Sequence, residues 1–190
     1  GRRNEIMKQA VGIDYSAFES GGIAFDYERM MREAGYTLEE IREIQSSTGV
    51  GDTPILELKN LTALARKYAP KGKGARIFIK DEAANPSGSF KARRAANAVY
   101  HAKRHGYKGV IAATSGNYGA AVASQAAMRG LKCIIVQECY DSSMTGQPEI
   151  LEKLRACEAY GAEVVQLSSI SGWPVKIGRA SCRERVSECV

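Results

Sequence analysis

Gly109-Val110-Ile111-Ala112-Ala113-Thr114-Ser115-Gly116-Asn117-Tyr118-Gly119 is the stretch on which the fold turns. Gly109 to Thr114 lacks polar alternation, the pattern of a strand covered on both faces. A short polar turn then gives way to an alanine-rich helix from Asn117 to Arg129, which Gly130 stops. Lys132-Cys133-Ile134-Ile135-Val136 reads as a second strand of the same kind. Pro148 suits the first turn of a helix that runs to Tyr160, with Gly161 at its end. Ala162-Glu163-Val164-Val165-Gln166-Leu167 reads as a third strand. Strand, helix, strand, helix and strand with short connections predict an α/β fold: a parallel open sheet, right-handed crossovers and helices on both faces.

Upstream the alternation continues less regularly. Asp26 to Ala34 predicts a helix capped by Asp26 and stopped by Gly35. Thr37-Leu38-Glu39-Glu40 is a capping box opening a helix through Ser46. Thr53 to Leu58 alternates as a short strand. Asn60 is the expected cap of a helix whose Leu61, Leu64, Ala65 and Tyr68 share one face, and Pro70 ends it. Arg76 to Lys80 is a strand, Asn85-Pro86-Ser87-Gly88 is turn chemistry, and a helix follows from Ser89 to Arg104.

The 190 residues are 44% hydrophobic and 25% charged, a globular composition that argues against disorder, collagen and coiled coil. No apolar run approaches the ~18 residues of a membrane span, and no secretory-type segment opens the chain. The net charge of +6 is interspersed, which speaks against a nucleic-acid surface. Cys133, Cys139, Cys157, Cys182 and Cys189 show no C-x-x-C spacing and read as cytoplasmic thiols, with no disulfide or zinc framework. Ile177 to Val190 has neither period nor turn logic; it resembles a translated sequencing adaptor and is expected to be non-native, with 169–176 doubtful.

Two loops carry the chemistry. The first, Asn85-Pro86-Ser87-Gly88-Ser89-Phe90-Lys91-Ala92-Arg93, puts Lys91 in the first turn of a helix. A cation there opposes the helix dipole, and taken alone it reads as an ordinary surface lysine; the surrounding motif is what singles it out. Schiff-base chemistry needs a neutral amine, because only that form attacks a carbonyl. The second, Thr114-Ser115-Gly116-Asn117-Tyr118-Gly119, joins a parallel strand to its helix. Backbone N–H groups at a helix start, with hydroxyl and amide side chains, make an anion cradle where α/β sheets bind ligands.

In this order and spacing, the loops resemble those of the fold-type II pyridoxal-phosphate enzymes, the tryptophan synthase β, threonine synthase and cysteine synthase family. The resemblance covers Val50 to Leu167, including Gly51-Asp52-Thr53-Pro54 and Tyr160-Gly161-Ala162-Glu163. It implies pyridoxal 5′-phosphate as cofactor, Lys91 as Schiff-base lysine and base, and Asn117 on the cofactor's 3′ oxygen. It further implies that Thr114, Ser115, Gly116 and Tyr118 hold the substrate carboxylate. It divides the chain into an N-terminal helical extension (1–49), the first part of a large cofactor domain (50–106), a small βαβαβ domain (107–168) and the doubtful tail (169–190).

The runs Lys80 to Arg94 and Gln137-Glu138-Cys139-Tyr140-Asp141 resemble a thiolytic branch of the family. That resemblance implies cleavage of 2-amino-4-oxopentanoate by coenzyme A to acetyl-CoA and alanine, a step of ornithine degradation. The implied partners are a small α subunit and further copies of the chain. The family's phosphate loop and pyridine-nitrogen partner come later in such chains, so a C-terminally truncated fragment, inactive alone, is expected.

Other readings compete. A β-replacement enzyme or a threonine synthase-like lyase would use the same loops. Gly116-x-x-Gly119 followed by Glu138 imitates a nicotinamide-binding arrangement, although Thr114 stands where its first glycine belongs. An inert fragment is the remaining alternative. Cys139, just past the second strand, could carry an acyl group, but a small residue that merely fits is the preferred reading. His101 and His105 are spaced i, i+4; without a third ligand, and beside Lys103 and Arg104, they are expected on a solvated face, with no metal.

Overall fold

The computed structural model describes residues 4–5, 8–9, 12–21, 24–114, 116–138 and 148–167. Ser115, Cys139 to Asp141 and the tail from 169 onward lie outside the described residues.

A parallel three-stranded sheet dominates, in the order β5 (Gly109–Ala113), β6 (Lys132–Glu138), β7 (Glu163–Leu167). Its register aligns Ala112 with Ile135 and Ile135 with Val164. Since side chains alternate between faces, Val110, Ala112, Cys133 and Ile135 point one way and are buried. They share a core with the helices α4 (Lys91–Arg104), α5 (Asn117–Arg129) and α6 (Pro148–Ala159). Ile111, Ile134 and Val136 point the other way and are half-buried, and Val165 is exposed. Among the described residues the first face is thus the more deeply buried of the two.

α5 is buried continuously from Gly119 to Ala126. Small side chains around the whole helix let it lie between its neighbours, as an all-round apolar helix must. Its Cys157 neighbour and Cys133 are free thiols. Burial pushes Cys133 up to about 12 and Cys157 up to about 11. Both are therefore inert: iodoacetamide at about pH 8 should label neither in native protein and both after denaturation, because the thiolate is the reactive form.

α4 carries the stripe Ala92, Ala95, Ala96, Val99 and Ala102, three to four residues apart as an amphipathic helix requires. Ala95, Val99 and Ala102 enter the core of the parallel sheet, whereas Ala92 and Ala96 pack on Val50. α4 thus packs on both the parallel-sheet core and Val50.

The N-terminal extension mixes structures. A 3-10 turn (Tyr15–Phe18) leads into a two-residue antiparallel pair, β1 (Glu19–Ser20) and β2 (Ala24–Phe25). α1 (Tyr27–Glu33) has Asp26 as its cap, and α2 (Leu38–Ser46) opens with the Thr37–Glu40 capping box. Tyr36 is buried, and its hydroxyl lies 2.6 Å from His101 Nδ1. His105 Nδ1 lies 2.8 Å from the His101 carbonyl oxygen. The half-buried His101 therefore faces Tyr36, and not the solvent that its charged neighbours had suggested.

β3 (Ile55–Glu57) and β4 (Phe78–Lys80) pair antiparallel, unlike the parallel sheet. α3 (Lys59–Tyr68) begins directly after Leu58, whose N–H donates to the Ile77 carbonyl at 2.9 Å. No side chain caps it; Asn60, the expected cap, lies inside the first turn. Strand pairing at Leu58 sets the helix start instead. Leu61, Leu64 and Tyr68 share a face as expected, yet all three are exposed and only Thr62 is buried. Thr62 Oγ1 accepts the Ile77 N–H at 3.0 Å. Among the described residues no helix is long and apolar enough to cross a membrane.

Candidate active site

The lysine loop is built between β4 and α4. Asp81 accepts the Ala83 N–H and starts a 3-10 turn over Glu82–Ala84. Asn85 is buried and its carbonyl accepts the Gly88 N–H at 2.8 Å. Gly88 has φ of 72°, a left-handed conformation that glycine adopts without a Cβ penalty. Ser89 Oγ then accepts the Lys91 N–H at 3.3 Å. Lys91 is the first residue of α4 and is half-buried, with Nζ 4.6 Å from the Phe90 ring centroid.

A polar cluster closes the base of this loop. The Arg93 guanidinium donates to both Glu82 oxygens, at 2.7 and 2.9 Å. It also donates to Thr53 Oγ1 at 3.2 Å, while the Thr53 hydroxyl donates to Glu82 at 2.8 Å. Asn85 Nδ2 donates to the Glu82 carboxylate at 3.0 Å, and Asn85 Oδ1 accepts the Gly51 N–H at 3.1 Å. Gly51 and Asp52 both have positive φ, 108° and 47°, and so turn the chain in front of Thr53. Lys80 Nζ donates to the Thr53 carbonyl at 2.8 Å.

Hydrogen bonds from Arg93 and Thr53 pull the Glu82 carboxyl down from its ordinary 4.5 to about 2. A carboxyl lowered by folding stabilises the fold above its ordinary value and loses that contribution as pH falls toward the folded value. Stability carried by this cluster is therefore full above pH 4.5 and declines toward pH 2. Denaturant titrations across that window should show a smaller acid loss in Glu82→Gln than in the parent.

The asparagine loop lies beyond the carboxyl end of β5. Thr114 N–H donates to the Val136 carbonyl at 2.8 Å, and Thr114 Oγ1 accepts the Gly116 N–H at 3.2 Å. Gly116 precedes α5 and no side chain caps that helix start. Asn117 opens the helix and is exposed. Tyr118 packs against the core, and its hydroxyl is buried without a partner among the described residues. Burial raises its pKa above the ordinary phenol value.

One contact draws the loops together, and a second ties the lysine loop to the end of α6. The Arg94 guanidinium sits 4.8 Å from the Tyr118 ring centroid. Arg94 is three residues after Lys91, on a neighbouring part of the helix surface, and Tyr118 follows Asn117. The Tyr160 hydroxyl, at the end of α6, donates to the Pro86 carbonyl at 3.3 Å. The first turns of α4 and α5 thus lie side by side.

A family model described as pyridoxal-phosphate dependent enzyme matches residues 46–188. The chain belongs to this family. The match overlaps the segment from 177 that was expected to be non-native. The chain is 82% identical over 167 residues to the 2-amino-4-ketopentanoate thiolase beta subunit of Acetoanaerobium sticklandii, covering 88% of this chain and 36% of that protein. A second beta subunit of that name, from an unknown prokaryotic organism, is 68% identical, with 88% and 35% covered. A solved pyridoxal 5′-phosphate-dependent aspartate racemase superposes with a TM-score of 0.55 at 30% identity, over 68% of this chain and 38% of its own. The chain thus spans about 36% of the thiolase subunit it matches.

The residues present fit the family's cofactor. A half-buried lysine at one helix start, an exposed asparagine at the next and that helix's uncapped N–H groups supply an amine, an amide and anion donors. The resemblance implied site roles for Lys91, Thr114, Ser115, Gly116, Asn117 and Tyr118, and none for Glu82, Thr53, Asn85 or Arg94. Glu82 and Arg93 are eleven positions apart with a turn between them, and no periodicity pairs such positions. Gly119, half of the nicotinamide-like pair, serves packing instead, facing Thr114 and Ile135.

Proposed function

We propose that the complete polypeptide cleaves 2-amino-4-oxopentanoate with coenzyme A, giving acetyl-CoA and alanine. The Arg94–Tyr118 contact, which sets the helix starts bearing Lys91 and Asn117 side by side, supports an amino-acid enzyme using pyridoxal phosphate. The 82% identity to a thiolase beta subunit carries the choice of reaction.

Pyridoxal phosphate, when bound, supplies an electron-withdrawing ring that takes up charge from the substrate's Cα. Lys91 Nζ would hold the cofactor and, as the amine beside it, would serve as base for the Cα proton. Asn117 orients the cofactor from the start of α5. Thr114, Gly116 and Tyr118 would receive the substrate carboxylate near the start of α5, where the helix dipole favours an anion, and Ser115, outside the described residues, is assigned the same role. A small α subunit, self-association and a cytoplasmic setting go with this reading. Cys139 is assigned packing and not acyl transfer.

The test uses the complete polypeptide with its partner subunit. Acetyl-CoA should form from coenzyme A and 2-amino-4-oxopentanoate, whereas O-acetylserine and O-phosphohomoserine should give no β-replacement product and no threonine. Turnover of either of the latter without thiolysis would replace this reading with the corresponding β-replacement or threonine-forming reaction.

A further inference from the structure

We propose that Glu82 and Arg93 are positioning residues for Lys91, one carboxylate clamping both ends of the loop that presents the amine. This inference rests on the reading of Lys91 as the cofactor-bearing lysine.

The geometry has three parts. First, one carboxylate receives both ends of the segment: Asn85 Nδ2 at 3.0 Å and the Arg93 fork at 2.7 and 2.9 Å. Lys91 lies inside the closed segment, two residues from Arg93. Positions i and i+2 of a helix point to nearly opposite sides, so Arg93 anchors the side of the turn that Lys91 leaves free. Second, the clamp is tied to the rest of the fold. Thr53 bonds both Glu82 and Arg93, at 2.8 and 3.2 Å. Gln45 Nε2, on α2, donates to the Arg93 carbonyl at 3.1 Å, and Gly51 N–H donates to Asn85 at 3.1 Å. The first turn of α4 is thereby held by side chain and backbone together. Third, α4 has no side-chain cap of its own. Ser89 Oγ holds the Lys91 N–H at 3.3 Å, and the clamp holds the other side of that turn, so that together they set where Lys91 Nζ emerges.

The bidentate arrangement requires arginine. Its planar fork matches both carboxylate oxygens, while lysine offers a single point of charge on a flexible stem. Catalytic groups lose rate steeply when misplaced by about 1 Å, so a loosened clamp costs chemistry before it costs binding.

The experiment uses the complete polypeptide and its Glu82→Gln, Arg93→Lys, double and Thr53→Val variants. Circular dichroism checks folding. The rate at which borohydride fixes pyridoxal phosphate to Lys91 is then measured well below the melting temperature. Folded Glu82→Gln and Arg93→Lys should each slow fixation about tenfold or more and lower kcat with KM within about threefold. The double variant should be no slower than the slower single one, because both changes open the same clamp. Thr53→Val, which removes a single hydroxyl, keeps the test open should the charged variants fail to fold, and should slow fixation about threefold. A role in stability alone lowers the melting temperature and leaves fixation in the folded protein unchanged; that result overturns the proposal. Failure of the parent to be fixed at Lys91 overturns the cofactor reading, and this inference with it.

Discussion

Lys91→Ala in the complete polypeptide should abolish turnover, with kcat/KM falling by about 10³-fold or more and the circular dichroism spectrum unchanged. The magnitude follows from two lost roles. General-base catalysis alone contributes about 10² to 10⁴ in rate, and covalent attachment of the cofactor adds to that. A 10³-fold loss corresponds to about 4 kcal/mol of transition-state stabilisation. The fold should survive because Lys91 makes no salt bridge in the clamp, and among the described residues its ring contact is with its neighbour Phe90. A variant of unchanged activity would remove the catalytic assignment outright.

Gly119→Ala should destabilise the protein by about 1–3 kcal/mol, in the range of overpacked cores. In an open helix the same change would stabilise by roughly 1 kcal/mol. Here the added Cβ would lie 2.9 Å from Thr114 Cγ2 and 3.1 Å from Ile135 Cγ2. Ile135 is fully buried in the central strand and has nowhere to move. Thr114 can turn its methyl away only by giving up its bond to the Gly116 N–H, at 3.2 Å. The substitution therefore trades helix propensity for either a clash or a loosened asparagine loop. A shift of the denaturant midpoint to lower concentration checks this; an unchanged or higher midpoint contradicts the packing at that position.

The sequence revealed the parallel-sheet unit most completely, because local rules and tertiary packing agree there. α5 starts at Asn117 and ends at Gly130, whose φ of 70° is the left-handed stop expected of glycine. The capping box at Thr37 formed as its four residues dictate. Local signals failed where partners distant in the chain decide. Asn60 yielded to the Leu58–Ile77 strand contact. The amphipathic pattern of α3 correctly grouped Leu61, Leu64 and Tyr68, but periodicity defines a face without supplying the surface to cover it. His101 looked solvated from its neighbours, and only the fold brings Tyr36 to it.

The candidate site divides the same way. Residue order placed Lys91 and Asn117 each at a helix start after a turn, and the resemblance of their two loops to the family's singled them out. The residues that hold them were not visible. Glu82 meets Arg93 and Thr53 across three separate segments, and Arg94 meets Tyr118 only because α4 and α5 pack side by side. Positioning residues of this kind carry no spacing rule, since the contact is made by the fold.

The central claim is that this chain carries the cofactor-bearing lysine of a pyridoxal-phosphate enzyme at position 91. Borohydride reduction of the complete polypeptide with pyridoxal phosphate, followed by peptide mapping, tests it most directly. A single labelled peptide is expected, modified at Lys91 and lost in Lys91→Ala. Label on Lys80, Lys103 or any other lysine, with Lys91 unmodified, would contradict it.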